Sequence, residues 1–298
     1  MDNNLKIGSV VVKPKKSTLI LPNEKPFVQT VILTVIIVCL IFSFMPLFLT
    51  VVNAFKLDKA VQKNAFSLPK FDEIGLAIKQ NFANAWSAIG KYYFSTILIS
   101  LIGAICETIV AAMLAYILSF KDFYFKEFVF MLFISVLLVP SIIGYPILIP
   151  LVRETFGLGD THLGYLIPMI GGSQVTGMFL FRTFFGQQPK SLYESAQLDG
   201  ANDLTILAKI TVPLALPIIL YYFVGCFSGI YNEYLWASLI LDNNQTLTNI
   251  MYAVVDSGSI KYGSMYAMYL IASIPLIVTV IISMKYFKSG EFAAGLKL

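Results

Sequence analysis

Apolar runs recur along the chain at residues 27–52, 92–118, 128–151, 163–185, 210–241 and 265–287, with polar intervals between them. A helix needs about 20 mostly apolar residues to cross a hydrocarbon core of about 30 Å, so the pattern predicts six transmembrane helices. The first run carries Pro46 near its far end, where neighbouring helices can satisfy the freed backbone groups. It follows a polar, lysine-bearing segment and lacks a small-residue cleavage site, which predicts an uncleaved anchor rather than a removed signal peptide. The fifth run, at about 32 residues, is too long for one straight span and has Pro213 and Pro217 at its start. Part of it is expected to lie along the membrane surface.

The intervals differ in character. Residues 53–91, with Pro69, Asp72, Glu73 and Trp86, predict an extramembrane loop containing a short amphipathic helix. Residues 119–127 form a short polar connector, 152–162 a turn around Gly157 and Gly159, and 242–264 a longer polar loop. Residues 189–213 stand apart, because a well-specified polar helix between two strongly apolar runs needs a soluble partner.

Composition agrees with the pattern. Of 298 residues, 57% are hydrophobic and 13% charged, and the mean hydropathy is +0.78. That is too little charge to cover a soluble protein of this length, and no large soluble domain is left over. The net charge of +4 comes from dispersed lysines, which argues against nucleic acid as a partner. Cys39, Cys106 and Cys226 all lie in apolar runs and read as buried thiols rather than a disulfide or metal set.

Counting Lys and Arg on alternate sides orients the chain. One side holds the N-terminal lysines with Lys121, Lys126, Arg182, Lys190, Lys209, Lys285, Lys288 and Lys297; the other holds Arg153, Lys261 and the lysines of 53–91. Both termini and residues 189–213 are therefore expected in the cytoplasm. The organisation that follows is a cytoplasmic segment 1–26, a six-helix domain 27–288 that includes 189–213, and a cytoplasmic tail 289–298.

Within 189–213, Ser191 and Glu194 follow Pro189 as S-x-x-E, a capping box in which each side chain satisfies the other's backbone amide. Gly200 fits the left-handed position that ends a helix, giving about nine residues and about 13 Å before Asn202 or Asp203 caps the next one. Glu194, Ala196 and Gly200, followed by Ile210 and Pro213, also match the spacing of the coupling motif E-A-A-x3-G-x9-I-x-L-P. The chain thus resembles the transmembrane permeases of ABC importers, most of all the smaller permease of maltose-type carbohydrate importers. The likeness covers most of 27–298 and includes FFGQQPKSLYESAQLDGA, then Tyr231, Asn232, Glu233 and Tyr234, then Tyr262, Gly263 and Ala267, and the tail FKSGEFAAGLK. Departures are Ser195 for the second motif alanine, Val212 for leucine and Tyr231 for a frequent tryptophan.

The resemblance implies an all-α membrane protein of the type I ABC importer permease fold, with six transmembrane helices and a short cytoplasmic coupling helix. It implies a bacterial cytoplasmic-membrane subunit forming half of a translocation pathway for a sugar or oligosaccharide. Its partners would be a second homologous permease, two cytoplasmic ATPase subunits, an extracellular solute-binding protein that the loop 242–264 reaches, and membrane lipid. No cofactor would be bound by this chain, with ATP and Mg on the ATPase subunits, and the chain would not be an enzyme. Glu194 would make the polar contact with the ATPase, Leu192 and Leu198 would pack, and Ser195, Ala196, Asp199 and Gly200 would complete the docking surface.

Four further residues are pathway or gate candidates. Glu107 sits in the middle of the second span, where an ionisable group is costly and marks either a pathway or a carboxyl bonded to a neighbouring helix. Tyr231, Asn232 and Glu233 fall in the fifth-span signature. Gly171–Gly172 in the fourth span reads as a close helix contact, since no G-x-x-x-x-G-K-[ST] motif occurs to make it a phosphate loop. His162 has no Cys or carboxylate at ligand spacing. Two other classes compete with the permease reading: a proton-coupled secondary transporter using Glu107, and an intramembrane enzyme, for which Glu107 or Glu233 has no evident catalytic partner.

Overall fold

A computed structural model of the chain describes residues 26–287; residues 1–25 and 288–298, which hold the expected N-terminal segment and tail, lie outside it. The chain divides into two compact units, residues 1–49 and 50–298. The described part of the first is most of α1 (Pro26–Ala54), which runs through Pro46 as one helix. Among the described residues the secondary structure is helical throughout.

The second unit is built on α3 (Phe71–Phe120), a single helix of 50 residues. It follows the short α2 (Asp58–Lys63). The apolar pattern predicts this helix from residue 92, with 53–91 a loop holding a short amphipathic helix; the helix instead begins at Phe71. Ala77, Asn81, Ala85, Ile89 and Tyr93 are all buried, one every four residues. This stripe carries the helix beyond its apolar run, because a helix is stabilised by packing one face as well as by hydrophobicity.

The next span is also not straight. α4 (Lys126–Val136) is followed by a 3-10 turn and α5 (Tyr145–Pro150), and the two halves bend by 91°. Pro140 lies at the break; it has no N–H to donate and disfavours helical dihedrals in Val139 before it. α6 (His162–Phe185) is continuous. After α7 (Lys190–Leu198) and α8 (Asp203–Ile206), a π-helical turn and α9 (Val212–Leu214) lead to α10 (Leu216–Asn232) across an 89° bend. The fifth run is thus not one straight span, as its length and Pro213 and Pro217 predict. α11 (Leu235–Ile240), α12 (Leu247–Asp256) and α13 (Tyr262–Phe287) complete the unit. α12 corrects the reading of 242–264 as a plain loop: Thr246 accepts the Asn249 amide as its N-cap, and buried Leu247 holds it against α3. Four helices can each cross a membrane alone, and counting each bent pair as one span gives six.

α3 packs against α6, α10, α12 and α13. Ala104, Ala111, Ala112 and Ala115 are buried along it, and such small residues let helices approach closely in a membrane. Helices meet closely at Gly177 of α6, where an added Cβ would sit 2.4 Å from the Tyr222 ring and 2.8 Å from the Ala111 Cβ. The expectation that Gly171 and Gly172 serve this purpose is wrong: nothing lies within 4 Å of a Cβ at either.

The end of α10 leaves carbonyls without helical partners, and neighbouring helices supply them. Tyr165 donates to the Ile230 carbonyl at 2.7 Å and Thr248 to that of Tyr231 at 2.7 Å. Tyr231 in turn donates to the Ala272 carbonyl of α13 at 2.8 Å, and Trp236 Nε1 to the Tyr165 carbonyl at 3.0 Å.

Beyond these spans a carboxylate closes the turn before α6 onto the segment after α11. Asp160, at a left-handed φ of 54°, accepts the backbone amides of Asp242, Asn243 and Asn244 at 2.9–3.0 Å and the Asn243 side-chain amide at 3.0 Å. Arg153 forks onto Asp242 at 3.0 and 3.1 Å. The amide bonds stabilise ionised Asp160 and hold its carboxyl well below the usual carboxylate range. A depressed folded pKa contributes stability above the unfolded value of about 4, and that contribution fades as pH falls through and below it. The melting-temperature gap between wild type and Asp160→Asn in detergent is therefore expected to be constant from about pH 8 to 5 and to shrink below about pH 4. A gap independent of pH would show that the charge contributes nothing.

Candidate functional site

α7 starts differently from its sequence reading and ends as read. Pro189 occupies the N-cap position, no side chain caps the helix, and Ser191 lies inside it, so the expected capping box is not formed. Pro189 has extended dihedrals and its carbonyl already accepts the Leu192 amide, which moves the start ahead of Ser191. At the other end the Ala201 amide donates to the Ala196 carbonyl at 2.9 Å and the Gly200 amide to that of Gln197 at 3.0 Å. With Gly200 at φ 80°, this is the Schellman arrangement. Asn202 then caps α8 by accepting the Thr205 amide at 2.8 Å.

Nine residues of helix are marginal alone, so contacts must hold α7 in place. Tyr193 provides them. Its buried ring lies 4.0 Å from that of Phe120 at the end of α3, and Phe120 packs at a tilt against Tyr116 with ring centres 5.2 Å apart. The Tyr193 hydroxyl donates to Gln188 and accepts from Thr211 at 3.3 Å. Beside it Asp203 binds Lys121 at 2.7 Å and accepts the Tyr116 hydroxyl at 3.1 Å. Tyr193 and half-buried Ala196, three residues apart, form the inward face.

The outward face is left open. Leu192, Glu194, Ser195, Leu198, Asp199 and Gly200 are all exposed, Leu198 at 89%. Glu194 makes no hydrogen bond or ion pair with any described residue, and two large apolar side chains flank it. Charge between apolar anchors suits a groove with a polar site at its centre. These are the residues that the motif predicts for docking; Tyr193 and Asp203, which anchor the segment, are not among them. An aromatic in an otherwise polar interval was the available signal.

Between the spans, Glu107 is buried at 2% exposure and accepts the Tyr222 hydroxyl at 2.7 Å. Tyr222 also reaches the Ser173 carbonyl at 3.0 Å. The three residues line a cavity of about 700 Å³ walled by α6, α10 and α13. A second cavity of about 640 Å³ holds Glu233, Tyr145 and Trp236, and the two share Met169, Ser173 and Thr176 on α6. Glu107 and Glu233 thus belong to adjoining cavities. Glu233 also accepts the Trp236 amide at 2.8 Å, which starts α11. Tyr231 is buried against α13 and lines neither cavity, and Asn232 turns back to the Ser228 carbonyl at 2.9 Å. No group of three or more His, Cys, Asp or Glu side chains able to hold a metal occurs among the described residues.

Six candidate passes, two of them broken, with two adjoining cavities between helices of the second unit and an exposed anchored helix, fit a multi-pass membrane permease. Residues 107–290 match the family described as "Binding-protein-dependent transport system inner membrane component", and the chain belongs to it. It is similar to an Escherichia coli inner membrane ABC transporter permease protein, YcjP, at 29% identity over 69% of this chain and 74% of that one. It is also similar to the Streptomyces coelicolor diacetylchitobiose uptake system permease protein NgcG, at 26% identity over 78% and 77%. A crystal structure of a bacterial ABC transporter involved in the import of the acidic polysaccharide alginate has the same fold, with a TM-score of 0.76 at 20% identity over 91% of this chain and 100% of that chain. This chain is therefore a non-catalytic ABC permease subunit, and ATP hydrolysis falls to partner subunits.

Proposed function

We propose that this subunit forms half of a translocation pathway for a sugar or oligosaccharide in a bacterial cytoplasmic membrane, with both termini and α7 in the cytoplasm. A second permease subunit supplies the other half, and a soluble binding protein delivers the cargo from outside. Two ATPase subunits carry ATP and Mg, and one of them docks on the outward face of α7. The observation that carries this reading is the pairing of that open face with a firm anchor. A helix bound to α3 through Tyr193, and followed by α8 bound there through Asp203, passes rigid-body motion into the spans rather than absorbing it. Carbohydrate is favoured by the relatives, which include the diacetylchitobiose protein above and a trehalose/maltose transport system permease protein of Thermococcus litoralis at 26% identity.

Proton-coupled transport and intramembrane catalysis have no support. Glu107 is bonded to Tyr222 and Glu233 to the Trp236 amide, and neither forms an ion pair among the described residues. The test is reconstitution in liposomes with the paired permease, the ATPase subunits and the binding protein. ATP-dependent uptake of a labelled oligosaccharide that needs all components is the expected result. Accumulation by this chain alone under an imposed proton gradient would overturn the reading.

A further inference from the structure

At the end of α3 remote from α7, α2, the start of α3 and the segment leading into α13 enclose a cleft of about 820 Å³. Its two carboxylates are already engaged: Asp58 accepts the Tyr262 amide at 2.7 Å and the Gln62 side chain at 2.9 Å, and Glu73 pairs with Lys70 at 3.0 Å. Lys59, Lys63 and Lys261 line the same cleft, are exposed, and form no hydrogen bond or ion pair among the described residues. Lys59 and Lys63, four residues apart, share one face of α2, and Lys261 stands just ahead of α13. The floor beneath them is firm. Buried Lys56 donates to the Asn53 side chain at 3.0 Å and to the Asn64 and Ala65 carbonyls at 3.2 and 3.1 Å, which leaves the three exposed lysines as the free positive charge.

Hydrogen bonds fix the level of this cleft against the membrane. Asn81 of α3 donates to the Ala54 carbonyl at 2.9 Å and to that of Lys56 at 2.8 Å, and Ala54 closes the first candidate span, Phe27–Ala54. Asn84 donates to the Ser264 hydroxyl at 3.4 Å, in the first turn of the last candidate span, Tyr262–Lys285. The cleft therefore opens where two apolar spans leave the hydrocarbon. Trp86, 44% exposed, lies five residues inward from Asn81, or about 7.5 Å, and exposed indole rings gather at the headgroup boundary. The apolar run of α3 opens deeper still, at Tyr92, so the cleft faces headgroups rather than acyl chains. Phe66, next to the Ala65 whose carbonyl Lys56 binds, is 64% exposed at the same level. Compact ammonium groups bind phosphate as point charges, and a bilayer holds anionic phosphates at this height in high local concentration.

We propose that this cleft binds the phosphodiester headgroup of an anionic phospholipid, with Lys59, Lys63 and Lys261 around the phosphate and Phe66 resting on the adjoining lipid. With α7 in the cytoplasm, as proposed above, that lipid belongs to the outer leaflet. The site stands on the spans and the cleft alone and is the same whatever the cargo. A headgroup held by α2 and by Lys261 at once clamps α2 to the start of α13 at the membrane surface.

The test titrates phosphatidylglycerol, and in parallel phosphatidylcholine, into the delipidated complete importer and counts bound lipids by native mass spectrometry. Wild type is compared with Lys59→Gln/Lys63→Gln/Lys261→Gln and with Lys59→Arg/Lys63→Arg/Lys261→Arg. Wild type is expected to hold one phosphatidylglycerol per copy of this chain that the glutamine variant fills only at about tenfold or higher lipid concentration, since each lysine near an anionic headgroup contributes about fivefold. The arginine variant should stay close to wild type, phosphatidylcholine should not fill the site, and Lys63→Gln alone should shift the titration about fivefold. The lysines are exposed and unbonded, so subunit assembly and basal ATPase should be unchanged in every variant. Equal phosphatidylglycerol affinity in wild type and the glutamine variants would overturn the inference, as would equal filling by phosphatidylcholine. Displacement of the lipid by inorganic phosphate would overturn it by assigning the cleft to a soluble anion. So would unchanged lipid retention with an altered response to the binding protein, which would assign the lysines to a protein contact.

Discussion

Glu194→Lys is expected to leave the protein folded in the membrane and to abolish transport. The substituted side chain is exposed and unbonded, near the middle of a nine-residue helix. Lysine and glutamate have similar helix propensity, so folding should change by less than about 0.5 kcal/mol. The docked state is different. Reversing a charge at a buried polar contact costs about 2 to 5 kcal/mol, or roughly thirty- to several-thousand-fold in occupancy. Membrane level by immunoblot should match wild type, while uptake and binding-protein-stimulated ATPase fall to background and the ATPase subunits co-purify poorly. Near-normal uptake would remove α7 from the coupling path.

Tyr193→Ala addresses the opposite face of the same helix. Removing a buried aromatic ring costs about 3 to 5 kcal/mol, and here the loss falls on the contact between α7 and the end of α3. The interior packing of α3 with α6, α10 and α13 does not involve this ring directly, so assembly of the spans should persist. Limited proteolysis should then cut near residues 186–202 much faster than in wild type, and transport should fail although Glu194 is intact. Tyr193→Phe retains the ring and loses only the hydroxyl bonds to Gln188 and Thr211, a change of about 1 kcal/mol or two that should leave most transport in place. Equal protection of α7 in wild type and Tyr193→Ala would show that the anchor lies elsewhere.

Much of this was legible in the chain, and what was not has identifiable causes. Span number came from the apolar runs because each pass must be long and greasy. Gly200 gave the end of α7 because its left-handed φ suits glycine far better than other residues. Ser191 misled because a capping box is a local pattern, and Pro189 with its neighbours supplied an earlier start. The outer part of α3 was missed because its evidence is a four-residue stripe of small and polar residues, Ala77, Asn81 and Ala85, which gains meaning only with something to pack on. Gly171 and Gly172 looked like a helix contact and face open space, while Gly177, a few residues on, bears the close approach; which face of α6 meets α3 and α10 is not written in composition. The partners of Glu107 and Tyr193 lie 115 and 18 residues away and depend on the fold.

The uninterrupted length of α3 has a mechanical consequence. Glu107 stands 13 residues from the end that α7 grips and 36 from the other, or about 20 and 54 Å along the axis. A pivot at that depth would give α3 unequal arms, with a gain between two and three. A tilt of about 5° that moves the gripped end by about 2 Å swings the far end by about 5 Å. A small stroke at α7 would then become a displacement at the opposite face comparable to one turn of helix.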